Sequence, residues 1–177
     1  MKLGVVSDSH GHTENVRALA DCLLEKGVRR VFHLGDDYDD AEVLLAAGLT
    51  VDRVPGVFSG YYQNPEVPNR LLVTAGGCRI LLTHSEKPHP NDLPGDLAPE
   101  TLAERERPDL VFFGHSHQPV IEDRDGIAWV NPGHLKPEDK KGAPPSYAVI
   151  NTETRPVRIQ ILALEDDRVL MENLPGR

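Results

Sequence analysis

The sequence predicts an α/β fold of two β-sheets packed face to face, with helices covering their outer faces. Three observations carry that prediction. Residues 2–54 alternate short apolar runs with amphipathic stretches in the order βαβαβ, which implies a parallel sheet with right-handed crossovers. Residues 110–164 instead hold short strand-like runs separated by turn residues, the pattern of antiparallel pairing. The chain has 177 residues, enough for one compact core but short for two.

Taken in order, residues 2–7 contain Leu3, Val5 and Val6 in a run too short for a helix, so they read as a buried strand. From 14 to 26, Val16, Leu19, Ala20 and Leu23 recur at helical spacing until Gly27, a residue suited to the left-handed turn after a helix. Residues 30–34 form the second strand, 39–47 a helix closed by Gly48, and 50–54 the third strand. Residues 56–70 carry Gly, Pro, Asn and two tyrosines without a period, which predicts a loop with a functional role. Strands at 70–74 and 78–83 flank Gly76-Gly77, a pair able to supply the positive φ angles of a hairpin. A proline-rich surface loop at 88–99 leads to a short helix at 100–107, stopped by Pro108, and then to a strand at 110–113. Strands at 120–122 and 127–130 pair across Asp125-Gly126, and 147–150 pairs with 157–164, so the C-terminal half is expected to be mainly antiparallel. The expected domain spans 1–165, and 166–177 is expected to be a tail.

Composition narrows the function. No run approaches the ~18 apolar residues that cross a bilayer, and the N-terminus enters a strand without a basic region or cleavage site, so a cytoplasmic protein with no membrane partner is expected. A formal net charge of -9 argues against nucleic acid as a partner. Cys22 and Cys78 lack metal-ligand spacing and read as small packing residues in a reducing compartment. Nothing in the pattern excludes homo-oligomerisation.

Four segments place Asp or His directly after an apolar run: VVSDSH brings Asp8 and His10, VFHLGDD brings Asp36, LLTHS brings His84, and VFFGHSH brings His115 and His117. Where strands run the same way, such positions meet at one edge of the sheet, the edge where open α/β sheets bind ligands. Residues two apart, as in Asp8/His10 and His115/His117, can project from one side of an extended segment. Carboxylates mixed with imidazoles suit Mn, Fe, Co, Ni or Zn better than Ca or Mg, and the lack of cysteine ligands argues against structural zinc. Each residue alone has an ordinary reading, such as a turn carboxylate or a solvated histidine. Gathered at one edge, they are costly to desolvate unless cations compensate. His33 reads as a packed strand histidine, and His12 and His89 as solvent-facing loop residues.

The ordered set Asp8-x-His10, Gly35-Asp36, His84 and Gly114-His115-Ser116-His117 resembles the calcineurin-like metallophosphoesterase superfamily, and the Asn131-Pro132-Gly133 segment and the length resemble its compact YfcE-type branch. The resemblance implies a four-layer αββα sandwich of two mixed sheets and a phosphoesterase, most readily a phosphodiesterase, acting on a small phosphoester. It implies two divalent ions, manganese first among Mn, Ni, Fe, Co and Zn. Asp8, His10 and His117 would hold one, Asp36 would bridge, and His84 and His115 would hold the other. Asp36, His84 and His115 are then the expected catalytic residues. Such an ion pair polarises phosphoryl oxygens and activates the attacking water.

One element departs from the family pattern. After the third strand, where Gly-Asn and a His or Asp are usual, this chain has Gly56-Val57-Phe58-Ser59. Valine cannot ligate a metal and phenylalanine cannot transfer a proton, which predicts a weak second site unless Ser59, Tyr61, Tyr62 or Asn64 folds back to replace the missing groups. The alternative function is a catalytically weakened interaction module, whose docking surface would be an apolar patch of Val57, Phe58, Tyr61 and Tyr62. Ser85 and His134 are lesser departures near the expected mouth.

Overall fold

The computed structural model describes residues 1–173. The chain runs through β1 (Lys2–Val6), α1 (Thr13–Glu25), β2 (Arg30–His33), α2 (Ala41–Ala46), β3 (Thr50–Arg53), β4 (Arg70–Ala75) and β5 (Cys78–Thr83). It continues through α3 (Pro99–Glu106), β6 (Leu110–Phe112), β7 (Val120–Arg124), β8 (Ile127–Asn131), β9 (Ser146–Asn151), β10 (Arg158–Ala163) and β11 (Val169–Glu172). Short 3-10 turns at Tyr38–Asp40 and Gly60–Gln63 fall in stretches whose lack of apolar period hid them. One sheet has the strand order β11-β10-β9-β1-β2-β3 and the other β4-β5-β6-β8-β7.

The apolar pattern explains how these stack into the four expected layers. Leu3 and Val5 of β1, Phe32 of β2, Ile80 and Leu82 of β5, Phe112 of β6 and Ile150 of β9 meet between the sheets in one buried cluster. Phe32 and Phe112 face each other across that layer, with ring centroids 5.6 Å apart. The alternate residues point outward: Val6, Val31 and Tyr147 bury against Val16, Leu19, Ala20 and Leu23 of α1 and Leu44 of α2. On the far side, Leu81, Val111 and Trp129 bury against Ala103 of α3. Every central strand is therefore covered on both faces, which is why these strands read as unbroken apolar runs.

The C-terminal half is mainly antiparallel as expected, through β7–β8, β9–β10 and β10–β11, while β6 pairs parallel with β5, across the α3 crossover, and with β8. One expectation requires correction: the segment after 165 is not simply a tail, since Val169–Glu172 pairs antiparallel with β10. Leu170 alone packs on the core while Val169 and Met171 stay exposed, so this edge strand has too weak an alternation to stand out. Residues 174–177 of that segment lie outside the described residues. Among the described residues, no helix is long and apolar enough to cross a membrane.

His33 is fully buried at the end of β2, as expected of a packed histidine. The Gly35 N–H donates to Nδ1 at 3.3 Å, leaving Nε2 protonated and 3.4 Å from Ser9 Oγ. Burial pulls the imidazole from its ordinary 6.5 down to about 4. The unfolded chain therefore takes up this proton first. The stability tied to neutral His33 is complete above pH 6.5 and is lost as pH falls toward 4. Chelated protein is expected to lose on the order of 2 kcal/mol through this residue between pH 7.5 and 5. Denaturant titrations of wild type and His33→Gln check it; parallel pH dependences in the two proteins would remove the assignment.

Candidate metal centre

Each of the six expected ligand residues follows a strand with parallel neighbours: Asp8 and His10 follow β1, Asp36 follows β2, His84 follows β5, and His115 and His117 follow β6. Backbone bonds stitch these loops together. Asp8 N–H donates to Gly35 O at 3.1 Å, Gly114 N–H to His84 O at 2.9 Å, and Leu135 N–H to Asp8 O at 3.2 Å. The His115 N–H donates to Asp8 Oδ2 at 2.9 Å, so the loops of both sheets close on one buried carboxylate.

Two groups of ligand atoms lie within 4.8 Å of one another: Asp8, His10 and His117, and Asp8, Asp36 and His84. The outer nitrogens of three histidines are already committed. His84 Nδ1 lies 2.7 Å from Leu34 O, a carbonyl that can only accept, so Nδ1 carries the proton. Its Nε2 is left as a buried lone pair with no hydrogen-bond partner, 4.0 Å from Asp8 Oδ1. His117 Nδ1 donates to Asp139 at 2.9 Å, and His10 Nδ1 contacts the Asp36 carboxylate. With those protons placed outward, His10 Nε2 and His117 Nε2 face each other at 2.9 Å, and His117 Nε2 is 3.4 Å from Asp8 Oδ1. Lone pairs and a carboxylate that converge this way repel unless a cation lies among them. The donor set therefore fits divalent metal ions.

The backbone carries the same signature. Among the described residues, eight non-glycine residues have positive φ, and five of them are Asp8 (52°), His10 (49°), Asp36 (79°), His115 (66°) and His117 (60°). Left-handed conformations are sparsely populated for residues with a Cβ, and such strain concentrates where function over-determines geometry. The electrostatics follow from the packing. Burial pushes the Asp8 carboxyl up, but the neighbouring His117, His84 and Ser7 bring it below its ordinary value. The Asp8 and Asp139 carboxylates on either side of its ring favour the doubly protonated imidazole and so hold His117 above the usual range. Burial and His84 hold His115 below it.

His115 stands slightly apart. Its ring is 5.2 Å from that of His84, but its nitrogens are not part of either close group. Asp139, which orients His117, has no sequence signal: it lies in the charged stretch PEDKKG, which reads as a solvated loop, yet its side chain is only 5% exposed. None of the expected substitutes folds back. Ser59 Oγ accepts from Tyr61 N, Tyr61 OH donates to Asp39, Tyr62 OH donates to Asp92, and Asn64 Oδ1 accepts from Glu66 N. The expected apolar patch is halved, because Val57 and Tyr62 are buried at 1% exposure while Phe58, at 74%, and Tyr61 stay exposed. Ser85 Oγ and His134 Nε2 both donate to backbone carbonyls, of Lys87 and Ala143. His89 does not simply face solvent: its ring centroid is 5.8 Å from that of His115.

A double-sheet αββα sandwich that gathers aspartates and histidines at the C-terminal ends of its parallel strands defines an α/β protein of the metal-binding class. The Calcineurin-like phosphoesterase superfamily domain matches residues 1–155, and the chain belongs to that superfamily. It is 27% identical to Phosphodiesterase YfcE of Escherichia coli K12 over 188 residues, covering 97% of each chain. It is 29% identical to the Probable metallophosphoesterase YsnB of Bacillus subtilis over 155 residues, covering 86% of this chain and 85% of that one. Among solved structures, E. coli YfcE superposes with a TM-score of 0.72 at 23% identity, over 99% of this chain and all of that one. A Vps29 variant from Entamoeba histolytica has the same fold, with a TM-score of 0.70 at 21% identity and full coverage of both chains.

Proposed function

We propose that the protein is a metal-dependent phosphodiesterase acting on small phosphoesters in the cytoplasm. The observation that carries this reading is the buried, unpartnered His84 Nε2 turned toward Asp8 beside the facing nitrogens of His10 and His117. Relatives named phosphodiesterase and metallophosphoesterase align over nearly the whole chain and support it. In this reading Asp8, His10 and His117 would hold one ion, His84 and His115 would hold a second, and Asp36 would serve both, manganese being the first candidate. Divalent ions held there supply Lewis acidity toward phosphoryl oxygens and lower the pKa of bound water toward neutrality. The protein's part is positional. Asp139 and Leu34 O keep His117 and His84 in the tautomers that present Nε2 inward, and the His115 N–H holds Asp8 in place. Val57 offers no ligand, so the second ion is held less tightly than the first. The net charge of -9 supports a small substrate over nucleic acid. The interaction-module alternative keeps only Phe58 and Tyr61 of its four-residue surface, since Val57 and Tyr62 are buried.

The test is metal content followed by activity. Purified protein is expected to take up roughly two equivalents of manganese, the second more weakly. Exhaustive chelation should abolish hydrolysis of a chromogenic phosphodiester, and manganese should restore it. Undiminished turnover after chelation would reject the proposal.

A further inference from the structure

Beside the metal centre lies a second feature that the hydrolytic machinery does not use. A cavity of about 390 Å³ opens between the loop after β3 and the loop after β5, lined by Val57, Phe58, Ser59, Gln63, Pro90 and Asn91 among others. Phe58 is the most exposed large apolar residue among the described ones, at 74%. It is nonetheless not a loose surface side chain. Its ring centroid is 6.1 Å from that of His115 and 5.3 Å from that of His89, the latter at 90°. His89 therefore abuts the phenyl ring, while the high exposure shows that the ring still offers open surface.

The walls around that ring are fixed. Behind it, Val57 is buried, and its carbonyl accepts from Asn91 Nδ2 at 2.8 Å. Gln63 Nε2 donates to Asn91 O at 2.6 Å, joining the two loops a second time. Tyr62 OH and Arg70 Nη2 both bond Asp92, at 2.5 and 2.8 Å, and the Arg70 side chain is 4% exposed. Two loops cross-linked in this way hold an exposed aromatic ring at a set distance from a histidine of the metal cluster. Leaving a phenyl ring in water is unfavourable, and a rigid mount gives it a purpose only if something flat covers it.

We propose that Phe58 is a specificity-determining residue that stacks an aromatic substituent of the phosphoester, so that the preferred substrates carry an aryl or nucleobase ring next to the phosphoryl group. The inference rests on the phosphoesterase reading of the adjoining cluster. It adds to that reading which esters are selected. Aromatic pairing beyond simple burial is worth roughly a three- to tenfold preference for a flat ring over a saturated ring of the same size.

Calorimetric titration of manganese-loaded protein with phenylphosphonate and cyclohexylphosphonate tests this without requiring turnover. Phenylphosphonate is expected to bind several-fold more tightly. Phe58→Leu should bring the two affinities together, and Phe58→Trp should keep or widen the gap. Equal affinities in wild type, or a preference that survives in Phe58→Leu, would overturn the stacking role and leave the phosphodiesterase reading standing. A phenyl preference in a protein that hydrolyses no ester would count against the phosphodiesterase reading alone. Failure of wild type to bind either phosphonate would count against both.

Discussion

Asp36→Ala is expected to lower manganese-dependent kcat/KM for a phosphodiester by about 10³-fold or more. The carboxylate lies in one close group with Asp8 and His84 and also contacts His10 Nδ1 of the other, so together with Asp8, which belongs to both, it links the two groups. Charge stabilisation by a bound ion is worth several kcal/mol in the transition state, and about 4 kcal/mol corresponds to a thousandfold in rate. Alanine removes a candidate ligand and also frees His10 Nδ1 from its partner, so metal uptake should fall together with turnover. Steady-state kinetics and metal analysis on the same preparations check this, with circular dichroism confirming the fold. His115→Ala should follow the same direction, because its ring adjoins that of His84 beside the cluster. Activity within a few-fold of wild type in Asp36→Ala would place the chemistry elsewhere.

The candidate ligand residues were legible for a simple reason. Asp8, Asp36, His84 and His115 each come directly after an apolar run, and a parallel strand delivers the residue at its end to the same edge as its neighbours. The helices at α1 and α2 were legible because each has an apolar stripe and a glycine just beyond its end. What could not be read depends on contacts distant in sequence. Asp139 meets His117 across 22 residues, and nothing in a charged loop indicates which of its carboxylates turns inward. The parallel placement of β8 beside β6 follows from β7 taking the sheet edge outside β8, a choice made by tertiary pairing. Val57 and Tyr62 look like candidates for a patch because their burial comes from loop packing with no period to betray it. The left-handed backbone of five site residues leaves no mark in residue type, since aspartate and histidine are chosen there for their side chains.

Gly35→Ala is expected to be the most damaging single methyl addition near the site. Gly35 has φ +92°, and a Cβ there would lie 2.5 Å from Gly56 N, 2.6 Å from Pro55 C and 2.8 Å from Val54 O. These are backbone atoms, which cannot turn aside as a side chain can. The approach is mutual, because a Cβ on Gly56 would come within 2.4 Å of Asp36 Cα. The loops after β2 and β3 therefore touch main chain to main chain at the residue before Asp36. Left-handed strain costs about 1 to 3 kcal/mol, and overpacking adds a similar amount. The sum, on the order of 4 kcal/mol, is a large fraction of the ~5 to 15 kcal/mol that holds a domain together. Gly48→Ala separates the two costs, since Gly48 has φ +85° but nothing within 4 Å of its added Cβ. Thermal denaturation should show Gly35→Ala unfolding roughly 10 °C below wild type, with Gly48→Ala losing only the strain component. Equal losses in the two variants would mean that the loops can separate without penalty. Metal uptake should report the same event locally: widening the gap at Gly35 moves Asp36 away from Asp8 and His84, so manganese affinity should fall in Gly35→Ala and stay unchanged in Gly48→Ala.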